Sequence, residues 1–240
     1  MSEERRIEVE VPLEATPEQV WDAITTVEGM TAWFAPMNPA PDENGISADG
    51  VVTRWEPGHG YAVQAGESSY EYLIEAVDGG SAVLRFAQTG FQGDDWEAEY
   101  EATARGWDFY FHTLEVYLSE FKGQPATYVV AEGPQWSNTA EAWGKLLEVL
   151  GASAVGDTVE LDLYGVGPVT GEVDYLGPSQ LGIRTDQALL RFHGRHLLGM
   201  SVALGHHYYQ RGRRARPVSA EDARRLEDAW QSWLTEVFLV

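Results

Sequence analysis

Ile7, Val9, Val11 and Leu13 alternate with Glu8, Glu10 and Pro12, the period of a strand with one apolar face. Thr16-Pro17-Glu18-Gln19 follows as a helix start: Thr16 can cap, Pro17 suits the first position, and Gln19 can complete a capping box. Val20, Trp21, Ile24 and Val27 supply the buried stripe, and Gly29 is expected to end the helix. Met30 to Phe34 predicts a short second helical turn before Pro36. Residues 36–50, rich in Pro, Gly, Asn and Asp, read as a loop. Strands are predicted at Val51–Trp55, Tyr61–Gln64, Tyr70–Val77 and Ser81–Thr89, the last two joined through Asp78-Gly79-Gly80, a hairpin signal. Trp96, Ala98, Tyr100 and Ala102 alternate with Glu97, Glu99 and Glu101, which predicts a last strand with a solvated acidic face. From Gly106 to Phe121 the period changes. Trp107, Tyr110, Phe111, Leu114, Tyr117, Leu118 and Phe121 fall at steps of three and four, one wide face of an aromatic helix that needs a large concave partner.

Gly123-Gln124-Pro125 interrupts the pattern, after which the plan starts again. Thr127–Ala131 is a short strand, and Asn138 with Glu141 opens a helix whose stripe is Trp143, Leu146, Leu147 and Leu150, closed by Gly151. Further strands are predicted at Val159–Leu163, Val169–Leu176, Leu181–Thr185, Ala188–His193 and Ser201–Tyr209. Ser219 with Asp222 caps a last helix bearing Leu226, Trp230, Trp233, Leu234, Val237 and Phe238. The expected class is α+β in two domains, 1–122 and 126–240, the second a degenerate copy in element order rather than in letters.

Composition narrows the function. The 240 residues carry 38 acidic and 16 basic side chains, a net charge of -22, which opposes binding to nucleic-acid phosphates. Residues 1–125 hold 24 acids and 6 bases; residues 126–240 hold 14 and 10. No cysteine is present, so disulfides and thiolate metal sites are excluded. No apolar run approaches the roughly 20 residues of a membrane helix, and the first residues hold no apolar signal core. A cytoplasmic protein without membrane insertion is expected. Arg211–Arg216 (RGRRAR) reads as a basic loop that could grip a phosphate or an acidic partner, or dock on the acidic first half.

The six histidines show no metal-ligand spacing, and neither a P-loop, a nucleophile elbow nor a G-x-G-x-x-G occurs. His206 and His207, adjacent in a strand, should point to opposite faces with at most one inward. His112, beside Phe111 at the edge of the aromatic face, is the best single candidate for a polar group at a cavity. No cofactor or metal is expected. With 38 acids, no carboxylate can be singled out.

The first half resembles the START-like (SRPBCC) superfamily, and within it the bacterial homologues of the C-terminal domain of the activator of heat-shock protein 90 ATPase. The residues that carry this are RRIEVEVPLEATPEQVWDAIT, MTAWFAP, YEYLIEAVDGGSAVLRF and GWDFYFHTLEVYLSEF, spanning roughly 5–122. The resemblance implies a helix-grip fold, an antiparallel sheet curled around a long C-terminal helix with an apolar cavity between them. It implies no universal catalytic motif, since members bind lipids or hydrophobic metabolites, cyclise polyketides, or have no assigned activity. Nothing in the chain argues for chaperone binding.

Three functional expectations follow. In the first, a small hydrophobic or aromatic ligand occupies a cavity lined by Trp33, Phe34, Trp55, Tyr72, Phe86, Trp107, Tyr110 and Phe111, with His112 at its edge. In the second, a cyclase- or hydrolase-type enzyme uses the same cavity, with His112 or a tyrosine hydroxyl as acid–base group. In the third, the protein is an interaction module whose second half packs on the first or forms a homodimer.

Overall fold

The structure is a computed structural model that describes residues 5–91, 96–210 and 217–239. The basic segment 211–216 lies outside the described residues. Contacts divide the chain into two compact units, Met1–Gly123 and Gln124–Val240. Each is α+β, with one antiparallel sheet and a long C-terminal helix.

The first unit runs β1 (Arg6–Leu13), α1 (Pro17–Thr25), α2 (Val27–Trp33), β2 (Val51–Glu56), β3 (Gly60–Ala65), β4 (Ser68–Val77), β5 (Ser81–Thr89) and α3 (Trp96–Val116), which ends in a π-helical turn, Tyr117–Phe121. The sheet order is β1-β5-β4-β3-β2, a meander whose first strand pairs with its last. The capping box at α1 forms as the sequence predicts. Gln19 donates its backbone N–H to Thr16 Oγ1, and Thr16 N–H donates to Gln19 Oε1 at 3.0 Å.

Two boundaries differ from expectation. Gly29 does not end α1. Thr26, in extended conformation, closes α1 and opens α2 by accepting the Gly29 N–H at 3.0 Å. Gly29 instead lets the two helices approach, because a Cβ there would stand 2.2 Å from the Asp22 carbonyl oxygen. The second correction is larger. The strand expected at 96–102 is the first two turns of α3, so the unit has four strands after its helices, not five. Alternation in W-E-A-E-Y-E-A imitated period 2, but Glu and Ala are strong helix formers and poor strand formers. The helical pairs decide it: Trp96 meets Tyr100 edge-on at 6.2 Å, and Arg105 pairs with Glu101 at 2.9 Å. Arg5 lies over the Trp96 ring at 3.8 Å and ties this end to the start of the chain.

Gly106 therefore sits inside the helix, with nothing within 4 Å of where its Cβ would be. Gly106→Ala should stabilise the protein by about 0.5–1 kcal/mol, since Gly costs that much in a helix interior. Urea unfolding at matched m-value will show it as a raised midpoint.

The second unit runs β6 (Ala126–Glu132), α4 (Ala140–Leu150), β7 (Thr158–Leu163), β8 (Gly167–Leu176), β9 (Gln180–Arg184), β10 (Ala188–His193), β11 (Ala203–Tyr209) and α5 (Ala220–Val237), with single 3-10 turns at Gln135–Ser137 and His196–Leu198. Its sheet order, β6-β11-β10-β9-β8-β7, repeats the first-with-last pairing. The cap of α4 is Thr139 rather than Asn138: its Oγ1 accepts the Ala142 N–H at 3.1 Å. Gly151, left-handed at φ 63°, ends the helix as expected. The core between sheet and helices is filled by Trp143, Leu146, Val173, Phe192, Trp230 and Leu234, each at most 4% exposed.

Candidate functional site

In the first unit Val20, Ile24, Leu84, Phe111 and Leu114 are at most 2% exposed and form part of the core. Toward the loop before β2 a cavity of about 180 Å³ remains. Met30, Trp33 and Phe34 reach it from α2 and its exit, followed by Met37. Val63 and Ala65 line it from β3, Tyr70 and Tyr72 from β4, and Trp107 from α3. The sheet residues share a face because β3 and β4 pair Val63 with Tyr70 and Tyr61 with Tyr72.

Both indoles are fixed through their N–H groups. Trp33 Nε1 donates to the Ala23 carbonyl at 2.9 Å. Trp107 Nε1 donates to Oε1 of Gln88, a buried polar residue of β5. The rings themselves interlock: Phe34 stacks on Trp107 at 6.0 Å and meets Trp33 at 5.5 Å, while Tyr70 stands edge-on to Trp107 at 6.2 Å.

Of the described residues that line the cavity, Asp49 alone carries charge. Its turn is built from local hydrogen bonds. The Asp42 carboxylate accepts the N–H groups of Asn44 at 2.8 Å and Ile46 at 2.9 Å, and Ser47 Oγ accepts the Asp49 N–H at 3.3 Å. Gly50, at φ 143°, then brings the turn against β3, where a Cβ would meet the Gln64 carbonyl oxygen at 2.3 Å. Burial raises the Asp49 carboxyl above its ordinary value. The Tyr70 and Tyr72 phenols are raised too, first by desolvation and then in part by the Asp49 charge, so they remain protonated. The site thus combines aromatic surface, two neutral hydroxyls and one half-buried carboxylate.

Of the residues the sequence singled out, Trp33, Phe34, Tyr72 and Trp107 line this cavity. Phe86 and Phe111 stand behind it, packed on Trp107 at 4.3 and 5.4 Å. Tyr110 meets Phe34 edge-on at 4.7 Å. Trp55 does not line the cavity and packs instead on Trp21 at 5.0 Å and Tyr61 at 5.5 Å, with Tyr61 stacked on Tyr72 at 4.6 Å. His112 is half-buried on α3 and does not line the cavity. Asp49, Tyr70, Met30 and Met37 are additions. Asp49 sits in a stretch that reads as solvated loop, and nothing in the letters separates it from Asp42.

The histidine pair departs from expectation. His206 and His207 do point to opposite faces, yet both are buried, at 0% and 2% exposure. His206 faces Trp230 in the core, and His207 lies against Tyr128 at 5.1 Å. Among the described residues no group of three or more His, Asp and Glu side chains is placed to hold a metal ion, and no helix is long and apolar enough to cross a membrane.

No family model matches the chain, and no curated protein matches it either. Solved structures do. Protein MLL2253 from Mesorhizobium loti is 25% identical over 49% of this chain and 98% of its own, with a TM-score of 0.41. The Aha1 dimer from Colwellia psychrerythraea is 19% identical over 50% of this chain and 99% of its own, at 0.39. The di-domain ARO/CYC BexL from the BE-7585A biosynthetic pathway is 11% identical over 98% of this chain and 99% of its own, at 0.42. The chain is similar over about half its length to an Aha1 protein and over nearly all of its length to a di-domain protein.

Proposed function

We propose that the first unit binds a small apolar or aromatic molecule in the cavity bounded by α2, β3, β4 and α3. The observation that supports this most is the space itself. Protein interiors pack like organic crystals, yet about 180 Å³ stays empty here among fixed aromatic rings. An apolar cavity of about 150 Å³ stays dry and takes up benzene. This one has room for a single ring with a short substituent or for a fused bicycle. Burying roughly 200 Å² of apolar ligand surface contributes about 5 kcal/mol before the costs of association.

Native mass spectrometry of the purified protein should show a small bound mass that denaturation releases. Indole is a suitable probe by calorimetric titration. The parent should bind it, and Ala65→Phe, which fills the cavity from β3 without removing a contact, should weaken binding at least tenfold while melting stays within a few degrees. Equal indole binding by parent and A65F would refute the assignment, as would a failure of the parent to bind any single-ring or bicyclic aromatic.

A further inference from the structure

We infer that the molecule held in this cavity carries an organic ammonium group, seated against aromatic ring surfaces and opposite the Asp49 carboxylate. The inference rests on the cavity being a ligand site. It starts from what the walls offer. Trp33 and Trp107 have spent their only donors on Ala23 and Gln88. What they and Phe34 offer a ligand is aromatic carbon, with no donor to spare. The face of an aromatic ring carries the negative end of its quadrupole, so rings around a cavity attract a cation desolvated there, Trp most strongly. Tyr70 and Tyr72 complete the aromatic surround. Met30 and Met37 add polarisable sulfur rather than a competing positive charge.

Asp49 supplies the second observation. A half-buried carboxylate is costly unless something pairs with it. Among the described residues no Arg, Lys or His forms an ion pair with this one, and burial raises it above its ordinary value. A ligand cation would supply the missing partner. An anionic ligand would meet the carboxylate and the ring faces unfavourably, and a neutral one would leave the carboxylate as it is. The surroundings favour the same sign, because this unit holds 24 acidic against 6 basic residues and its field draws cations in. An alkylated ammonium fits better than a primary one, since it sheds its hydration more easily and fills apolar space with its substituents.

The test compares two probes of one shape, phenyltrimethylammonium and tert-butylbenzene, which differ in a single positively charged nitrogen. Binding is measured by calorimetry at about 150 mM salt, where diffuse attraction to the acidic surface is screened. The parent should bind the cation at least tenfold more tightly than the hydrocarbon. Asp49→Asn should erase most of that preference while leaving tert-butylbenzene within twofold. A65F should lose both probes, which places the cation in the cavity and not on the surface. If the hydrocarbon binds as well as the cation, or D49N leaves cation affinity unchanged, the ammonium assignment falls while ligand binding stands. Cation binding retained in A65F also overturns it. If neither probe binds the parent while indole does, the ammonium assignment falls and ligand binding stands; if indole fails as well, both readings fall.

Discussion

Asp174→Ala will cost the second unit about 3–5 kcal/mol, the largest loss expected from any single substitution discussed. Asp174 on β8 and Arg191 on β10 form a two-pronged ion pair across the intervening strand, Nη1 to Oδ1 at 2.9 Å and Nη2 to Oδ2 at 2.8 Å. Their side chains are 8% and 2% exposed. β9 makes room by carrying Gly182 between them, where a Cβ would come within 2.6 Å of Arg191 Nη1 and 2.7 Å of Asp174 Oδ1. The guanidinium cannot shed its proton. Without Asp174 it loses both charged acceptors and keeps only weaker interactions such as that with the Leu190 carbonyl at 3.3 Å. Removing both charges is a different matter, because an apolar pair of similar volume forfeits no partner. Asp174→Leu with Arg191→Met should therefore recover most of the loss. Hydrogen exchange on peptides from β8 to β10 is the right readout, since a chain of two units need not unfold in one step. A D174A protein within 1 kcal/mol of the parent would show that the pair is not desolvated as described.

How far the sequence led depended on which physical signal each element used. Caps, glycines and strand alternation are local, and they located nearly every strand and helix: the capping box at Thr16, the left-handed Gly151 and the Ser219 cap all stand where the letters place them. The segment 96–102 failed because two local signals conflicted. Alternation suggested a strand, propensity favoured a helix, and the contacts of Trp96, Tyr100 and Arg105 reward only the helix. The cavity was legible only as a face. Helical spacing puts Trp107 and Phe111 on one side of α3, but depth along that side is set by neighbours distant in sequence. Phe111, 2% exposed, is enclosed by Trp33 at 6.1 Å and Phe86 at 5.1 Å, while Trp107 one turn earlier borders open space. Asp49 was illegible for the same reason, since its place at the cavity depends on Gly50 meeting β3.

The two units solve one packing problem differently. Both lay a long C-terminal helix over an antiparallel sheet. The first leaves a cavity beside Trp107 of that helix. In the second, Trp230 of the corresponding helix is fully buried against Phe192 at 5.9 Å and His206 at 4.5 Å, and its Nε1 donates to the Tyr208 hydroxyl at 2.7 Å. The proposed ligand role thus concerns the first unit alone. The buried imidazole in the second gives that unit a pH dependence instead.

His206→Asn should flatten the acid side of the stability profile by about 1.2 kcal/mol, read as the difference between parent and variant from pH 6 to pH 5. The reason lies in the β10–β11 ladder. Leu189 pairs with His207 and Phe192 with Leu204, but between them the Arg191 N–H donates to His206 Nδ1 at 2.9 Å. An accepting Nδ1 puts the imidazole proton on Nε2, which has no hydrogen-bond acceptor among the described residues, in a ring packed against Trp230 and Phe192. A second proton would have to enter at Nδ1, facing the Arg191 N–H and destroying that bond. Burial opposes it most, followed by the charges of His207, His193 and Arg191, so the folded group is held well below its ordinary value. The unfolded chain takes up the proton at about pH 6.5. Above that pH neither state binds it and the full stability is present. Below it the unfolded state binds more protons than the folded one, so stability falls as pH falls. Asn keeps an acceptor for Arg191 but does not titrate, and the other histidines and the carboxylates cancel in the comparison. H206N should thus be the less stable protein at pH 8, with the gap narrowing on acidification. A gap that stays constant from pH 8 to pH 5 would mean that His206 does not remain neutral in the folded core.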